Sequence, residues 1–204
     1  MKRRLRQLVL LLIALCPLQK IKRLLYGSLF RYDIAHDAYI GFSYIDVDNL
    51  ILETNARIGH LNHISGIHTF TIKKGGEIKW LNTIVVSRGL NVETSFILGE
   101  QATLTREHFF DLSGSITIGK NTVIGGIQSQ FWTHSFNIKR QMRIDSICIG
   151  DHCFIGSAVR FSPGSEIPDR CVVGIASVVT KRFQSEGVLI AGVPARVVRT
   201  LESI

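Results

Sequence analysis

One polar and aromatic segment interrupts an otherwise regular sequence of 204 residues. It runs from about residue 130 to 147 and contains Trp132 and His134. Long excursions from a regular scaffold usually carry function, and a histidine side chain can accept a proton at neutral pH. His134 is therefore the first candidate for proton-transfer chemistry. The alternative is a loop histidine that only packs beside Trp132.

On either side of this segment, from Ile34 to Ile124 and from Ile149 to Val179, the sequence repeats every six residues. In the C-terminal half, the apolar anchors are Ile149, Ile155, Phe161, Ile167, Val173 and Val179. Earlier in the chain the phase of the repeat shifts by two residues near 70 and returns near 110. The anchors there are Ile34, Ile40, Leu52, Ile58, Ile64 and Phe70, then Ile72, Ile78, Ile84, Leu90, Phe96 and Ala102, then Leu112, Ile118 and Ile124. Neither a helix, with a period of 3.6, nor an alternating strand, with a period of 2, explains this spacing.

The period predicts a solenoid of stacked coils. Three six-residue units make a triangular coil of about 18 residues, and because one coil cannot bury its own apolar face, coils must stack. We expect the glycines after the anchors, such as Gly41 and Gly59, to supply backbone freedom at the corners. Cys153 and Cys171 lie one coil apart at the same interior position, so we expect a ladder of thiols there rather than a disulfide or a metal site.

Four stretches of the C-terminal half resemble the hexapeptide-repeat acyltransferase family, in particular the maltose, galactoside and polysaccharide O-acetyltransferases. They are IGDHCFIGS (149–157), SPG (162–164), VGIASVVTK (173–181) and AGVPARVVR (191–199). The resemblance is close over 112–200 and extends loosely back to about 34. It implies an all-β domain over 33–199, a left-handed parallel β-helix with an inserted loop at about 130–147. The handedness comes from the resemblance alone, since parallel strands usually connect with the right-handed sense.

The resemblance also implies an activity and an assembly. The activity is transfer of an acetyl group from acetyl-CoA to a hydroxyl or an amine, on a sugar or glycan precursor, with no metal required. The assembly is a homotrimer. Since a thioester is already activated, the enzyme needs only to hold donor and acceptor together and to remove one proton.

Site residues follow from the same resemblance. His134 would be the general base, and a backbone N–H at or near Ser157 would meet the oxyanion. The expected CoA contacts are Ser157, Ile175, Thr180, Lys181, Arg196 and Arg199, of which Ile175 and Thr180 act through backbone groups and the basic residues meet phosphates. Asp111 and Trp132 are the expected acceptor contacts, and Asp111 could instead orient His134. The alternatives without a functional role are that Asp111 is a surface residue at a corner and that Arg196 and Arg199 belong to a solvated basic terminus.

Two other function classes stay open. Left-handed β-helices also include zinc carbonic anhydrases with three histidine ligands. Among His60, His63 and His68, the spacing of His63 and His68 suits such a site, and a third ligand would have to come from a neighbouring coil or from the next subunit. A non-catalytic β-helical scaffold is the third possibility. The cysteines form no CxxC pair, which disfavours a structural zinc site and favours reduced thiols in the cytoplasm.

The positive charge is confined to the N-terminus. The net charge of the chain is +8. Residues 1–32 contain eight Lys and Arg and no Asp or Glu, so the rest of the chain has equal numbers of basic and acidic residues. A balanced body argues against a nucleic-acid partner. Residues 8–15 are apolar but too short to span a bilayer, which needs about 20. The segment 1–32 is therefore predicted to be helical, either an amphipathic helix at the inner face of the membrane, a helix packed on the body, or a signal peptide.

Overall fold

The computed structural model describes residues 3–86 and 93–201. Two helices begin the chain, α1 (Arg3–Ala14) and α2 (Gln19–Phe30), and short strands follow them. Within the described residues these strands form three sheets of stacked strands and one separate hairpin.

Each coil contributes one strand to each sheet in turn. Sheet A contains β1 (Asp33–Ile34), β4 (Asn49–Leu52), β7 (Thr69–Ile72), β10 (Ser95–Leu98), β13 (Ile116–Ile118), β18 (Ile147–Ile149) and β21 (Glu166–Ile167). Sheet B contains β2 (Tyr39–Ile40), β5 (Arg57–Ile58), β8 (Glu77–Ile78), β11 (Thr103–Leu104), β14 (Val123–Ile124), β19 (Phe154–Ile155), β22 (Val172–Val173), β24 (Val188–Gly192) and β25 (Ala195–Thr200). Sheet C contains β3 (Tyr44–Asp46), β6 (His63–Ser65), β9 (Thr83–Val85), β12 (Phe109–Asp111), β15 (Gln130–Trp132), β20 (Arg160–Phe161) and β23 (Val178–Val179). The separate hairpin is β16 (His134–Phe136) with β17 (Met142–Ile144).

The stacked coils confirm the predicted solenoid. Strands of successive coils pair in parallel, as Ile58 does with Ile78, and the final pair, β24 with β25, is antiparallel. All the predicted anchors that the structure describes are buried except Ile34, which is half-buried. Leu90 lies outside the described residues. Near the slip at 70, strand β7 buries both Phe70 and Ile72, so both phases of the period point inward there.

Phenylalanines form a stack through the interior. The ring centroids of Phe110 and Phe131 lie 4.1 Å apart, and those of Phe131 and Phe161 lie 4.6 Å apart, with planes within 2° and 7° of parallel. Phe70 and Phe96 stack in the same way at 4.8 Å. Each ring therefore covers the ring of the next coil, and this contact holds coils in register.

The glycines after the anchors serve a different purpose from the one predicted. A Cβ added to Gly59 would lie 2.2 Å from the carbonyl oxygen of Lys79, and one added to Gly41 would lie 2.2 Å from that of Gly59. Positive φ angles at these corners fall instead on residues such as Leu61 and Leu81. The expectation of backbone freedom at Gly41 and Gly59 was wrong: glycine is needed because successive coils approach too closely for a side chain.

The interior thiols follow the predicted ladder. Cys153 and Cys171 are buried and unbonded to each other, and the Cys153 thiol lies 3.0 Å from the carbonyl oxygen of Pro168. Burial raises the pKa of Cys153 to about 12, so this thiol stays protonated and behaves as a small apolar group.

The two helices close the N-terminal end of the solenoid. Lys22 is fully buried, and its Nζ donates to the carbonyl oxygens of Ala14, Ile40 and Gly41 at 3.1, 3.1 and 2.8 Å. Arg6 donates to Asp46 at 2.6 Å. One face of the segment is therefore packed on the body, as one of the three alternatives predicted.

A polar ladder joins the coils at the turns between sheets B and C, which we call the B–C corner. The backbone N–H of His108 donates to Asn82 Oδ1 at 3.0 Å, and the N–H of Ser129 donates to His108 Nδ1 at 3.1 Å. His108 Nε2 contacts Thr105 Oγ1 at 2.9 Å. Because His108 is buried, the pKa of its imidazole falls to about 4.

We predict that His108 makes stability depend on pH. The unfolded chain takes up a proton as pH falls through about 6.5, whereas the folded chain does so only near pH 4, so the free energy of unfolding falls by roughly 3 kcal/mol across that window. In His108→Asn this contribution is absent, since asparagine can accept the Ser129 N–H without titrating. Urea unfolding at several pH values measures the free energy of unfolding of both proteins. If that free energy falls equally with pH between 6.5 and 4 in the parent and in His108→Asn, the prediction is contradicted.

Candidate active site

His134 stands at the point where the chain leaves the solenoid. Strand β15 still belongs to sheet C, so the excursion is narrower than predicted and begins after Trp132. Thr133 is buried, and its Oγ1 donates to the carbonyl oxygen of Asp111 at 2.6 Å and accepts the N–H of Gly114 at 2.8 Å. This hydroxyl fixes the backbone just before His134, which then pairs with Ile144 in the hairpin.

A carboxylate orients the His134 ring. Asp111 Oδ1 lies 3.1 Å from His134 Nδ1, and the hydroxyl of Ser113 contacts both groups, at 3.1 Å to the carboxylate and 3.2 Å to Nδ1. The two side chains are only 9% and 17% exposed. A carboxylate accepts but does not donate, so Nδ1 carries the proton and the lone pair is on Nε2.

Aromatic side chains hold the ring from two sides. The centroids of Trp132 and Phe136 lie 6.2 and 6.0 Å from that of His134, both in edge-on geometry. No described residue forms a hydrogen bond with His134 Nε2. The arrangement presents one oriented imidazole nitrogen that can remove a proton from a bound hydroxyl.

The residues expected to bind CoA lie in three places. Ser157 and Ile175 are at the B–C corner. Thr180 and Lys181 follow β23 at the opposite corner, between sheets C and A, where His134 also lies. Arg196 and Arg199 are exposed on β25. A single chain therefore does not bring all six together.

The B–C corner offers free backbone donors. Among the described residues, the amides of Ser157 and Ile175 donate to no protein acceptor. Ile175 is 75% exposed. Gly126 faces Ser157 so closely that an added Cβ would lie 1.6 Å from its Oγ. This corner is thus a narrow edge whose N–H groups can bind carbonyl oxygens of a ligand.

A pocket on the same corner was missed by sequence reasoning. It has a volume of about 380 Å³ and is lined by Lys79, Trp80, Thr105, Arg106, Gly126 and Ile127. Trp80 is 54% exposed. The sequence feature that could have indicated the pocket is the aromatic residue two positions after the anchor Ile78, where most coils have a small or polar residue.

The other histidines do not gather into a site. His60 contacts the Tyr39 hydroxyl, His63 contacts Ser65, and His68 contacts Asp48. Within 3–86 and 93–201 no group of three His, Cys, Asp or Glu side chains could hold a metal ion.

Comparison with known proteins agrees with this architecture, although no family model matches the chain. A galactoside O-acetyltransferase of Escherichia coli (strain K12) is 29% identical over 129 residues, which cover 62% of this chain and 63% of that protein. A hexapeptide-repeat acetyltransferase of Vibrio cholerae, solved with acetyl-CoA, superposes with a TM-score of 0.53 at 20% identity over 98% of this chain and 87% of that one. The fold is the left-handed parallel β-helix of the hexapeptide-repeat acetyltransferases. A galactoside acetyltransferase solved with coenzyme A superposes with a TM-score of 0.50 at 20% identity, over 98% of this chain and 82% of that one. The curated relative is matched over less than two thirds of its length.

We predict that Asp111 sets the tautomer of His134. Nitrogen-15 NMR of the imidazole should show the proton on Nδ1. In Asp111→Asn the new amide can donate to Nδ1, so the Nε2-protonated form should increase. Ser113→Ala keeps the carboxylate and serves as the matched control. An unchanged tautomer in Asp111→Asn would remove the carboxylate from this role.

Proposed function

We propose that the protein is an acetyl-CoA-dependent O-acetyltransferase that acts on a sugar or glycan, with His134 as the general base. The observation that carries the proposal is the Asp111–His134 pair, which leaves Nε2 without a hydrogen-bond partner among the described residues. The fold shared with acetyltransferases and the similarity to a galactoside O-acetyltransferase support the choice of reaction.

In the proposed reaction one proton is transferred twice. His134 Nε2 takes the proton of the acceptor hydroxyl as its oxygen attacks the thioester carbonyl carbon. When the C–S bond breaks, the imidazolium returns that proton to the departing sulfur. Asp111 holds the ring and stabilises its charged form between the two transfers. The free amide of Ser157 is a suitable donor to the developing oxyanion.

The donor would lie along the B–C corner. The amides of Ser157 and Ile175 would face the pantetheine arm, and Thr180, which lies at the corner between sheets C and A, would contribute backbone groups from a neighbouring copy of the chain. Lys181, Arg196 and Arg199 are exposed cations, and contact with the phosphates of the donor is the role that we propose for them. No metal takes part in any of these steps.

The acceptor would lie toward the N-terminal end of the same edge. Trp80 and Ser157 are three coils apart, a distance of about 14 Å along the solenoid. The exposed indole ring of Trp80 offers a flat apolar face to a sugar ring, and Lys79 and Arg106 suit an acidic group on it. Trp132, on the His134 side, gives a second aromatic surface.

The site would be completed between copies of the chain. Within one chain, His134 follows β15 and Ser157 precedes the neighbouring strand β20, so the two residues lie at opposite edges of sheet C. The proposed base of one copy would therefore meet the donor corner of another. We therefore propose a homotrimer, a closed arrangement in which each chain gives one corner to each neighbour.

We predict that His134→Ala lowers turnover roughly 10²–10⁴-fold, because the variant loses the proton acceptor. The affinity for acetyl-CoA should change little, since the loss falls on the transition state. Steady-state kinetics and calorimetric binding measure the two effects. His152→Ala, at an exposed corner histidine, is the control, and a near-normal turnover in His134→Ala would refute the assignment.

We predict the opposite pattern for Lys181→Ala. Loss of a charge-assisted contact to phosphate should weaken acetyl-CoA binding by about 10- to 100-fold, while turnover at saturating donor stays close to that of the parent. Lys74→Ala removes an exposed lysine from a distant corner and should leave both quantities unchanged. Equal donor affinity in the two variants would exclude Lys181 from the donor site.

We predict that two inactive variants complement each other. His134→Ala lacks the base and Ile175→Asp obstructs the donor corner, so a co-refolded mixture should regain activity at sites built from one intact part of each chain. Light scattering should give the mass of three chains. A monomer that transfers acetyl groups, or a mixture that stays inactive, would show that one chain holds the whole site.

A further inference from the structure

The two N-terminal helices present an apolar face to solvent. We call residues 3–30 the helical cap. Six of its leucines are between 54 and 67% exposed: Leu8, Leu12, Leu15, Leu18, Leu24 and Leu29. Contiguous apolar surfaces of this kind mark interaction sites in soluble domains.

The opposite face of the helical cap is fixed to the solenoid. Leu10 and Tyr26 are fully buried, and Lys22 donates to three carbonyl oxygens of the cap and the first coil. Arg6 is bonded to Asp46 and to the carbonyl oxygen of Val47. The cap therefore cannot bury its outer leucines by turning over, and none of the described residues covers them.

Charge restricts the partner. The cap contains no acidic residue, its Arg3, Arg4 and Lys20 are exposed, and so is Arg31 directly after it. Lys22, whose pKa is lowered by burial, is occupied inside. A second copy of this face would bring like charges together, whereas an anionic lipid surface pairs with the cations and accepts the leucines.

The length of the helices determines how they meet lipid. Each has 12 residues and is about 18 Å long, and no helix in the described part of the chain is long and apolar enough to cross a membrane. We propose that the outer face of the helical cap docks the protein on an anionic membrane surface, with the leucines at the boundary between headgroups and acyl chains.

The test is sedimentation of the full chain with vesicles. Vesicles of phosphatidylcholine with about one third phosphatidylglycerol should carry down the protein at low salt, and those of phosphatidylcholine alone should carry down at least about tenfold less. Leu12→Glu with Leu24→Glu should lower binding to anionic vesicles by a similar factor. Leu61→Glu, at a leucine that is 66% exposed on a solenoid corner, is the matched control and should bind normally.

Two outcomes would overturn the proposal. Equal sedimentation of the parent and the double variant would show that the leucines do not meet lipid. Self-association of the parent that the double variant loses, without vesicle binding, would show that the face pairs with a second copy. Both proteins should acetylate a soluble acceptor equally, so failure of docking is distinguishable from failure of the proposed enzyme activity.

Discussion

Burial of each coil depends on the coils above and below it. A triangular coil with one inward side chain on each short strand has little interior of its own, and successive coils lie about 4.8 Å apart. The parallel stack of Phe110, Phe131 and Phe161 shows this dependence, because each ring is covered by the ring of the neighbouring coil. The close approach at Gly59, where no Cβ fits, is another expression of it.

Coil stacking also builds the candidate site. Asp111 and Trp132 are paired in sheet C, so the residues that follow Trp132 must pass directly over the end of the previous strand. Because the two strands are adjacent, the Thr133 hydroxyl donates a hydrogen bond to the carbonyl oxygen of Asp111, and the His134 ring contacts the Asp111 carboxylate. The distance between the His134 imidazole and the Asp111 carboxylate is thus set by the rigid solenoid, even though His134 itself begins an excursion. In the proposed reaction, a side chain placed this way would be held in position before the acceptor binds.

The period of six made the fold readable from sequence, because each anchor reports a local and repeated environment. Contacts between coils were harder to read. Asp111 was placed one coil before His134, yet the sequence did not distinguish an acceptor contact from an orienting one, since that depends on which way two corners face. Gly59 was predicted for the wrong reason, because its requirement comes from Lys79 on the next coil. Trp80 was missed because its pocket is formed together with residues of the next two coils, and the aromatic type of one corner residue does not reveal that arrangement.

The N-terminal segment shows the same limit. Its composition supported both a surface helix and a packed helix, and the structure shows one apolar face against the body and another exposed. Leu10 and Leu12 are close in sequence and differ only in which side of α1 they occupy. Assigning them required the position of the first coil.

Acetyl transfer to a defined acceptor tests the central claim most directly. The full-length protein would be incubated with carbonyl-labelled acetyl-CoA and a panel of galactosides, maltosides, nucleotide sugars and acidic glycans, and the products would be analysed by mass spectrometry. The account predicts label on a sugar hydroxyl, as an ester that mild alkali removes, with one CoA thiol released per ester. Release of thiol without an ester on any acceptor, or no release at all, would contradict it.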